Sequence, residues 1–394
     1  MGDELAVAQL VREWSLWQLS PSTTVRREIL NSIIRPQPDL VTVVQGVRRC
    51  GKSTLLTQFI DRFQLNPQLC FFANFEDPRI SDRLDPALLD QIVTFGNSVG
   101  SANSDRYYFF DEIQSVTDWP KWFHRELAKS NHHNHFIITG SNARMLSGAM
   151  GSALTGRHLT VELFPYSLHE LREAKQNSTF EEYVLYGGFP RAVTFPEPHR
   201  LLREYFNDII ERDVRRTLSL SSPTVLFQLT KLVFSSLGSE VSQRSLASTL
   251  GISPDTAGAY LQACEAAYLI QPCPYFSFSE RQRVARNRKY YPIDLGLRAA
   301  TITKGGADRG KELEAAVYLH LRKRYSQVCY WRQSGEVDFV VQDGTTIIPH
   351  QITWDGAQER HHKALAEFKS EFVSSSPAVI VTRENVEAFL EARI

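Results

Sequence analysis

Alternating apolar and polar blocks mark the first half of the chain as a series of strands and helices. Short apolar runs end in polar residues and are separated by segments in which apolar residues recur at helical spacing. Strands that alternate with helices are typical of a parallel sheet covered by helices, so an α/β domain is expected over residues 39–165. The apolar runs that predict its strands lie at 40–44, 69–75, 107–110, 136–139 and 159–163.

The region before this domain, residues 1–38, predicts an N-terminal helical segment. A polar stretch interrupts it, a second helical part is expected over 24–34, and Pro36 and Pro38 end it. The apolar face of the first part consists of Leu5, Leu10, Val11, Trp14 and Trp17.

The loop after the first strand carries the strongest chemical signal. It matches the pattern G-x-x-x-x-G-K-[ST] between a strand and a helix, the context in which this pattern binds phosphates through backbone N–H groups. Lys52 is expected to contact the β- and γ-phosphates, and Ser53 to coordinate Mg²⁺. The predicted nucleotide-binding residues are Gly46, Val47, Arg48, Arg49, Cys50, Gly51, Lys52, Ser53 and Thr54.

A second signal follows the apolar run 107–110, which ends in Asp111 and Glu112. Asp111 is expected to belong to the Mg²⁺ shell together with Ser53, and Glu112 to orient an attacking water. The adjacent second carboxylate favours hydrolysis over phosphoryl transfer to another substrate. The sequence therefore predicts a Mg²⁺-dependent ATPase with ATP and Mg²⁺ as cofactors.

Two weaker signals concern the γ-phosphate. Ser141 or Asn142, after the strand at 136–139, lies where a polar sensor is expected. Arg157 is the leading candidate for an arginine finger and Arg144 the competing one. Because such an arginine can serve a neighbouring subunit, the hypothesis includes a homo-oligomer, with a hexameric ring as one form.

Residues 166–222 predict a helical lid or linker, and residues 223–295 a winged-helix domain. Helix-turn-helix spacing follows Ala247 and Leu250, with Gly251 in the turn and Ser253 as the cap of a helix over 254–267. A β-hairpin wing is expected over 275–291, flanked by aromatic residues. Its basic residues favour DNA contact over protein contact, although both interpretations stay open. They are Arg281, Arg283, Arg286, Arg288 and Lys289.

Residues 300–394 outline a restriction-endonuclease-like α/β domain. A helix carries one acid and the following strands carry the others, as in a site for a divalent metal. This chemistry also needs a lysine on the last strand, where the chain has Gln351-Ile352-Thr353, and Lys363 is only a weak substitute. The site is therefore predicted to be degenerate, with an ATP-gated nuclease as the less favoured alternative. Its residues are Glu314, Glu336, Asp338 and Gln351.

The composition of the chain excludes few classes of function. In 394 residues, 44 Lys and Arg balance 44 Asp and Glu, so any nucleic-acid site must be a local patch. Five cysteines without C-x-x-C pairing favour reduced thiols and a cytoplasmic location over disulfides or zinc. Neither a signal peptide nor an apolar run of membrane-spanning length is expected.

Taken together, the motifs resemble a family of bacterial and archaeal ATP-binding proteins. In that family an AAA-type ATPase domain precedes a C-terminal domain of unknown function. The resemblance implies ATP hydrolysis and a role on DNA through the C-terminal half, whereas the departure at Gln351 and Thr353 argues against nuclease activity. A nucleotide-gated signalling or defence switch that binds proteins is the alternative. The matching segments are Gly46–Thr54, Phe75–Arg79, Phe109–Gln114, Ile138–Asn142, Leu154–Arg157, Gly187–Arg191, Tyr290–Leu297 and Glu336–Val341.

Overall fold

The computed structural model of the chain forms two compact units, residues 1–163 and 164–394. The first border lies two residues before the predicted one at 165, and the predicted division of 166–394 into three parts stays a prediction. The structure describes residues 2–19, 24–129, 133–146, 154–215, 218, 223–303 and 308–392. Gly305 and Gly306, the predicted domain break, lie outside these ranges.

The first unit is built on a five-stranded sheet in the order β2-β3-β4-β1-β5, and all neighbouring strands are parallel. The parallel α/β sheet predicted from the sequence is confirmed. Because β4 lies between β1 and β3, the segments that follow these three strands meet at one edge of the sheet. The strands are β1 (Val41–Gln45), β2 (Cys70–Asn74), β3 (Arg106–Asp111), β4 (Asn134–Gly140) and β5 (His158–Glu162).

Aromatic side chains fill both faces of this sheet. All four aromatic residues of β3 are buried, as expected for a central strand of a parallel sheet. Phe72 stacks on Phe109 with ring centroids 4.5 Å apart, and Phe110 packs edge-on against Phe75 at 5.5 Å. The helices of the unit are α1 (Gly2–Leu19), α2 (Lys52–Phe63), α3 (Pro86–Asn97) and α4 (Trp119–Glu126).

Helix α1 lies along the edge strand β2. Its buried face consists of Val7, Val11 and Trp14, whereas Leu10, predicted on that face, is only half-buried. The side chains of Leu5 and Trp17 lie outside the described residues. Ser15 Oγ accepts a hydrogen bond from the backbone N–H of Phe72 at 3.1 Å, so the helix satisfies a donor of the edge strand.

The predicted second helix over 24–34 is wrong. Only a single 3₁₀ turn, Glu28–Asn31, forms there. Gln58 of α2 bonds the backbone on both sides, accepting from Arg27 N at 3.1 Å and donating to Val25 O at 2.7 Å. These bonds hold the segment extended, because they use backbone groups that a helix would pair internally.

The second unit begins with short helices, and their role as a lid or linker stays a prediction. They are α5 (Leu168–Ala174), α6 (Phe180–Tyr186), α7 (Pro190–Val193) and α8 (Pro198–Asp208), followed by a π-helical turn, Ile209–Val214. Buried Asp294 ties them to helix α13 (Leu295–Thr301), accepting from Gly188 N and from Leu297 N at 2.7 Å each. Gly187 has φ +71° and lies so close to Asp294 that a Cβ would be 2.0 Å from Oδ1.

Three helices and a three-stranded antiparallel sheet follow. The helices are α9 (Pro223–Ser235), α10 (Gln243–Leu250) and α11 (Pro254–Ala266); the strands are β6 (Glu240–Val241), β7 (Ile270–Cys273) and β8 (Arg288–Pro292), in the order β6-β8-β7. As predicted, Gly251 forms the turn with φ +66°, and Ser253 Oγ caps α11 by accepting from Thr256 N at 3.0 Å.

The predicted hairpin over 275–291 is wrong in its details. Strands β7 and β8 do pair, but a short helix, α12 (Glu280–Ala285), lies between them. The chain after β7 pairs instead with Tyr330, whose backbone N–H donates to Pro274 O at 2.9 Å and whose carbonyl accepts from Phe276 N at 2.7 Å. These bonds draw residues 274–276 away from β8.

A four-stranded sheet in the order β12-β11-β10-β9 completes the second unit. Strand β10 is antiparallel to both β9 and β11, and β12 is parallel to β11. The strands are β9 (Val328–Arg332), β10 (Glu336–Asp343), β11 (Thr346–Ile352) and β12 (Val379–Val381), and the helices are α14 (Arg309–Arg324), α15 (Glu359–Glu371) and α16 (Val386–Glu391). Over the described ranges, no helix is long and apolar enough to cross a membrane.

Candidate nucleotide-binding site

The loop between β1 and α2 is bent by residues with left-handed backbone angles. Gly51 has φ +101° and Arg49 has φ +71°. Gly46 lies against the backbone after β5, where a Cβ would come within 2.2 Å of Leu163 O. The two pattern glycines are therefore required by a positive φ and by a close backbone contact.

Lys52, the first residue of α2, folds back over this loop. Its ammonium donates to Gly46 O at 3.1 Å and to Val47 O at 3.3 Å, and it lies 3.4 Å from Glu112 Oε1. Only 4% of the side chain is exposed. The lysine is thus held within the loop, next to the N-terminus of a helix that favours bound anions.

Asp111 ends β3 and faces the loop. Its two carboxylate oxygens accept from Ser53 Oγ and from Thr139 Oγ1, each at 2.5 Å. Burial and the neighbouring carboxylate of Glu112 raise the pKa of Asp111. A carboxylate and a serine hydroxyl side by side supply the oxygen ligands that Mg²⁺ prefers.

Glu112 has a strained backbone, with φ +55°, which is uncommon for a residue other than glycine. Its backbone N–H donates to Thr139 Oγ1 at 2.9 Å, and its side chain accepts from the amide of Gln114. Burial alone would raise the pKa of Glu112, but the Lys52 ammonium and the Gln114 amide lower it. Glu112 is therefore held ionised beside the lysine.

The remaining loop residues have structural contacts. Both terminal nitrogens of the Arg48 guanidinium donate to Glu76 Oε1 at 3.0 Å, and this contact forms an ion pair. Arg49 is exposed. Burial raises the pKa of the Cys50 thiol. All five cysteines are free and buried. Arg27 donates to Cys50 O at 2.9 Å and so anchors the loop to the N-terminal segment.

Sequence reasoning missed three residues of this site: Thr139, Gln114 and Arg27. Thr139 bonds both predicted carboxylate residues, and its position at the end of β4 next to the Gly140–Asn142 turn was the available signal. The pairing of Arg27 with a loop 23 residues away had no signal in the sequence pattern.

The two sensor candidates follow β4 at the same edge of the sheet. Ser141 is buried, and Asn142 Oδ1 accepts from the backbone N–H of Arg144 at 2.8 Å, so this side chain also stabilises its own turn. The Arg144 side chain is exposed.

Arg157 lies at the opposite, amino-terminal edge of the sheet. It immediately precedes β5, and its carbonyl accepts from the backbone N–H of Val41 at the start of β1 at 3.0 Å. The structure therefore does not bring Arg157 to the phosphate loop of its own chain. Its exposed side chain leaves a role toward a neighbouring subunit as a prediction.

The five basic residues predicted to bind DNA do not form one surface. Lys289 is only 1% exposed and points into a group of carboxylates, so its assignment to a DNA-binding surface is wrong. Arg283 pairs with Glu280 and Gln327, whereas Arg281 is exposed. Of the flanking aromatic residues, only Phe278 is exposed; Tyr275, Phe276, Tyr290 and Tyr291 belong to the buried core.

The other two, Arg286 and Arg288, line a polar cleft of about 590 Å³ beside α11. Arg244 of α10 also lines this cleft. The Arg288 guanidinium lies 3.6 Å from Glu265, whose carboxylate also accepts from Tyr290 OH at 3.0 Å. Three arginines and one acid leave the cleft with excess positive charge.

The four residues of the predicted endonuclease-like site do come together in the second unit. Asp338 Oδ2 accepts from Gln351 Nε2 at 2.5 Å, and Glu314 and Glu336 both face Lys289. The predicted substitute Lys363 is exposed on α15 and pairs with Glu359 at 2.7 Å.

The β2-β3-β4-β1-β5 sheet, the phosphate loop and the paired carboxylates at one edge define the class of the first unit: a phosphate-loop nucleotide-binding fold. Residues 39–172 match the model of a family described as an AAA domain. Residues 177–308 and 309–393 match two models described as domains of unknown function, DUF8612 and DUF4143.

Two relatives are similar over most of their length. An uncharacterized protein of Haemophilus influenzae is 28% identical over 363 residues, covering 87% of this chain and 90% of the relative. An uncharacterized protein of Methanocaldococcus jannaschii is 29% identical over 332 residues, covering 77% of this chain and 72% of the relative.

Solved structures with similarity to the chain include the following two. A DNA polymerase III gamma subunit-related protein from Thermotoga maritima has a TM-score of 0.31 and 14% identity, covering 75% of this chain and 99% of its own. The Bacillus subtilis DNA clamp loader delta protein has a TM-score of 0.26 and 14% identity, covering 74% and 97%.

Proposed function

We propose that the protein hydrolyses ATP with Mg²⁺ at the phosphate loop of its first unit. The observation that carries this proposal is the joint position of Lys52, Ser53, Asp111 and Glu112 at the carboxyl edge of the sheet. A loop that binds phosphates needs only the lysine and the serine. The buried, ionised Glu112 next to the lysine is what supports hydrolysis.

The residues present fit a magnesium ion. Ser53 and Asp111 offer adjacent oxygen ligands, and burial together with the Glu112 carboxylate raises the pKa of Asp111, so a dication would offset this cost. When bound, Mg²⁺ would neutralise charge on the phosphates. Two protein ligands suffice, because Mg²⁺ in nucleotide sites takes its other ligands from phosphates and water.

Lys52 and Glu112 have the remaining roles in this proposal. Lys52 exchanges its two carbonyl partners for phosphate oxygens when nucleotide binds, and this exchange also releases it from Glu112. Glu112, still oriented by Thr139 and Gln114, then accepts a hydrogen bond from the attacking water. The strained φ of Glu112 is consistent with a side chain held in a functional orientation.

The variant Glu112→Gln tests this proposal. We expect ATP turnover to fall about 100-fold or more, because the amide cannot accept a proton from water, while ATP binding is retained. Asp118→Asn, an exposed acid in the loop after the same strand, is the matched control and should leave turnover unchanged. Unchanged hydrolysis in Glu112→Gln would contradict the assignment.

We further propose that hydrolysis serves work on DNA, such as strand separation, branch migration or remodelling, through the second unit. Three helices with a helix-turn-helix and a three-stranded sheet support a winged-helix interpretation of residues 223–292. The order helix, three strands, helix, strand after residue 308 supports an endonuclease-like interpretation. The cleft with Arg244, Arg286 and Arg288 is the DNA contact we propose, since its charge suits phosphates.

A triple alanine variant of Arg244, Arg286 and Arg288 tests the DNA contact. We expect weaker DNA binding. The slope of the logarithm of the binding constant against the logarithm of the salt concentration should become smaller in magnitude by roughly 3, because each arginine that is removed leaves one phosphate without a protein cation. The matched control replaces three exposed arginines of the same unit outside the cleft: Arg203, Arg212 and Arg281. Equal reductions in the two variants would mean that only net charge matters and would remove the cleft from the proposal.

A protein-binding switch remains the competing function, because the same cleft also suits an acidic peptide. Both functions include an oligomer in which Arg157 serves a neighbouring subunit. Arg157→Ala should then lower turnover without changing ATP affinity, and mixing it with Glu112→Gln should restore part of the activity. ATPase rates unaffected by single-stranded, duplex and branched DNA, together with an ATP-dependent change in oligomer size, would favour the switch.

A further inference from the structure

A second buried lysine lies among carboxylates in the second unit, far along the chain from the phosphate loop. Lys289 is on β8, the middle strand of the three-stranded sheet. Three acids face it from neighbouring elements: Glu314 from α14, and Glu336 and Asp338 from the same face of β10. We call Lys289, Glu314, Glu336, Asp338 and Gln351 the carboxylate site.

The ammonium of Lys289 is held by these acids and by an aromatic ring. It contacts Glu336 directly, lies 3.4 Å from Glu314 Oε1, and lies 5.4 Å from the centre of the Tyr330 ring. Only 1% of the side chain is exposed. Burial alone would lower the pKa of Lys289, but the carboxylates of Glu314 and Glu336 raise it, so the charged ammonium is favoured.

The Lys289 ammonium and the exposed Arg332 guanidinium, which lies 3.7 Å from Glu336 Oε2, do not balance three carboxylates. Burial raises the pKa of Glu314 and that of Asp338, the latter also because of the Glu314 charge. Tyr291 OH donates to Glu314 at 2.5 Å, and Ile352 N donates to Asp338 at 2.7 Å, but hydrogen bonds from neutral groups do not cancel the charge. The carboxylate site therefore has spare affinity for positive charge.

Gln351 adds an independent sign of a cation-binding site. The residue is 3% exposed, and its Nε2 donates to Asp338, which directs the side chain into the site. Its buried Oε1 has no hydrogen-bond partner. A buried carbonyl oxygen without a donor costs free energy, and a cation next to Asp338 would satisfy it.

The acids are nevertheless not arranged to hold a metal together with Lys289. Within the described parts of the chain, no group of three or more His, Cys, Asp and Glu side chains has a geometry suited to a metal ion. Thr353, where an endonuclease-like strand would carry a lysine, instead donates to Gly356 O at 3.0 Å. Lys289 thus brings into the site, from a different strand, the positive charge that β11 lacks.

We propose that the ammonium of Lys289 takes the place of a divalent cation in the carboxylate site, so that the native chain keeps this site free of metal. Removing the ammonium leaves Glu314 without its cation, and Glu314, Asp338 and Gln351 Oε1 then form a site for one Mg²⁺ or Mn²⁺. The inference concerns the second unit alone and does not depend on ATP hydrolysis.

Binding of Mn²⁺, measured by electron paramagnetic resonance on nucleotide-free full-length protein, tests the proposal. All samples carry Asp111→Asn, so that the nucleotide site does not contribute. We expect no stoichiometric Mn²⁺ binding while Lys289 is in place. In Lys289→Gln we expect one bound Mn²⁺ per chain, with an affinity at least about tenfold higher than in the protein that retains Lys289. Adding Asp338→Asn to Lys289→Gln should abolish this binding. Lys363→Gln, an exposed lysine of the same unit, is the matched control and should bind none.

Two results would overturn the proposal. One is stoichiometric Mn²⁺ that is lost with Asp338→Asn while Lys289 is intact, which would make Lys289 the companion of a metal and not its replacement. The other is a folded Lys289→Gln variant that binds no Mn²⁺. If this variant does not fold, the double variant Lys289→Gln with Glu336→Gln removes the ammonium together with its contacting carboxylate and carries the same expectation.

Discussion

Each of the two compact units contains a buried lysine that faces carboxylates. Lys52 and Lys289 are 4% and 1% exposed, and each lies 3.4 Å from a glutamate oxygen. Their other partners differ. Lys52 donates to two loop carbonyls, which phosphate oxygens can replace, whereas Lys289 is surrounded by further acids and by the Tyr330 ring. A lysine–glutamate pair is therefore accessible to a phosphate ligand in the first unit, whereas in the second unit the protein itself supplies all the partners of the lysine.

The difference follows from where the backbone places each lysine. Lys52 begins a helix, at a loop whose free N–H groups favour anions. Lys289 lies within the middle strand of a sheet, and its side chain enters the core next to α14. A buried pair of this kind costs desolvation, so it adds little stability over a well-packed apolar pair, whereas removal of one partner is strongly destabilising.

The largest effect is expected from Lys52→Met. We expect ATP turnover to fall about 100- to 1000-fold, the reduction that follows removal of one preorganised electrostatic interaction with the reacting group. Steady-state ATPase assays measure it. If Lys289→Met lowered turnover as much as Lys52→Met, the two lysines would not have the separate roles that their partners indicate.

Lys289→Met is expected to act on stability. Removing the ammonium leaves Glu314 and the half-buried Glu336 without their shared cation, so the free energy of unfolding of the second unit should fall by about 3 kcal/mol. Denaturant unfolding followed by tryptophan fluorescence measures this. Lys363→Met removes an exposed pair and should cost less than about 0.5 kcal/mol, and equal reductions would show that the burial of Lys289 is energetically irrelevant.

Asp294 is a buried acid bonded to backbone N–H groups. Burial raises its pKa to about 6. The folded state binds this proton more tightly than the unfolded chain, so its contribution to stability is complete below the unfolded pKa and lost as pH rises through 6. Relative to Asp294→Asn, the native chain should gain about 2 to 3 kcal/mol in unfolding free energy between pH 7 and 4. A pH-independent difference in melting would contradict this.

The smallest effect is expected from Thr139→Val. Valine fills the same space but removes the hydroxyl that bonds Asp111 and the backbone of Glu112, so stability should fall by about 1 to 2 kcal/mol. Thr57→Val, a half-buried threonine bonded only to a carbonyl of its own helix, is the control. Thermal melting distinguishes the two, and equal shifts would mean that the bonds of Thr139 contribute nothing special.

The sequence was most informative where neighbouring residues determine the structure. The phosphate loop and the Asp111-Glu112 pair are short patterns between strongly apolar strands, and the parallel sheet followed from those strands. It was less informative where distant residues decide. Hydrogen bonds from Gln58 replace the helix predicted over residues 24–34, and Tyr330 takes up backbone groups that the expected hairpin would have used.

Lys289 illustrates the limit most clearly. In the sequence it belongs to a basic run that predicts a solvated surface. In the strand, alternation places Lys289 on the same face as Tyr291, and both side chains bond Glu314 of α14. Only the packing of β8 against a helix more than twenty positions away converts the charge from a surface feature into an internal one.

Helix α1 has a consequence for how the first unit meets other molecules. A sheet edge with unpaired N–H groups is a template for pairing with another chain, and natural proteins protect such edges. Ser15 Oγ accepts from the N–H of Phe72 and the indole N–H of Trp14 donates to Asp77, so α1 closes the β2 side of the sheet to strand addition and to aggregation by that route. The opposite edge strand, β5, includes the exposed Leu159 and is the side of the sheet that α1 leaves unprotected.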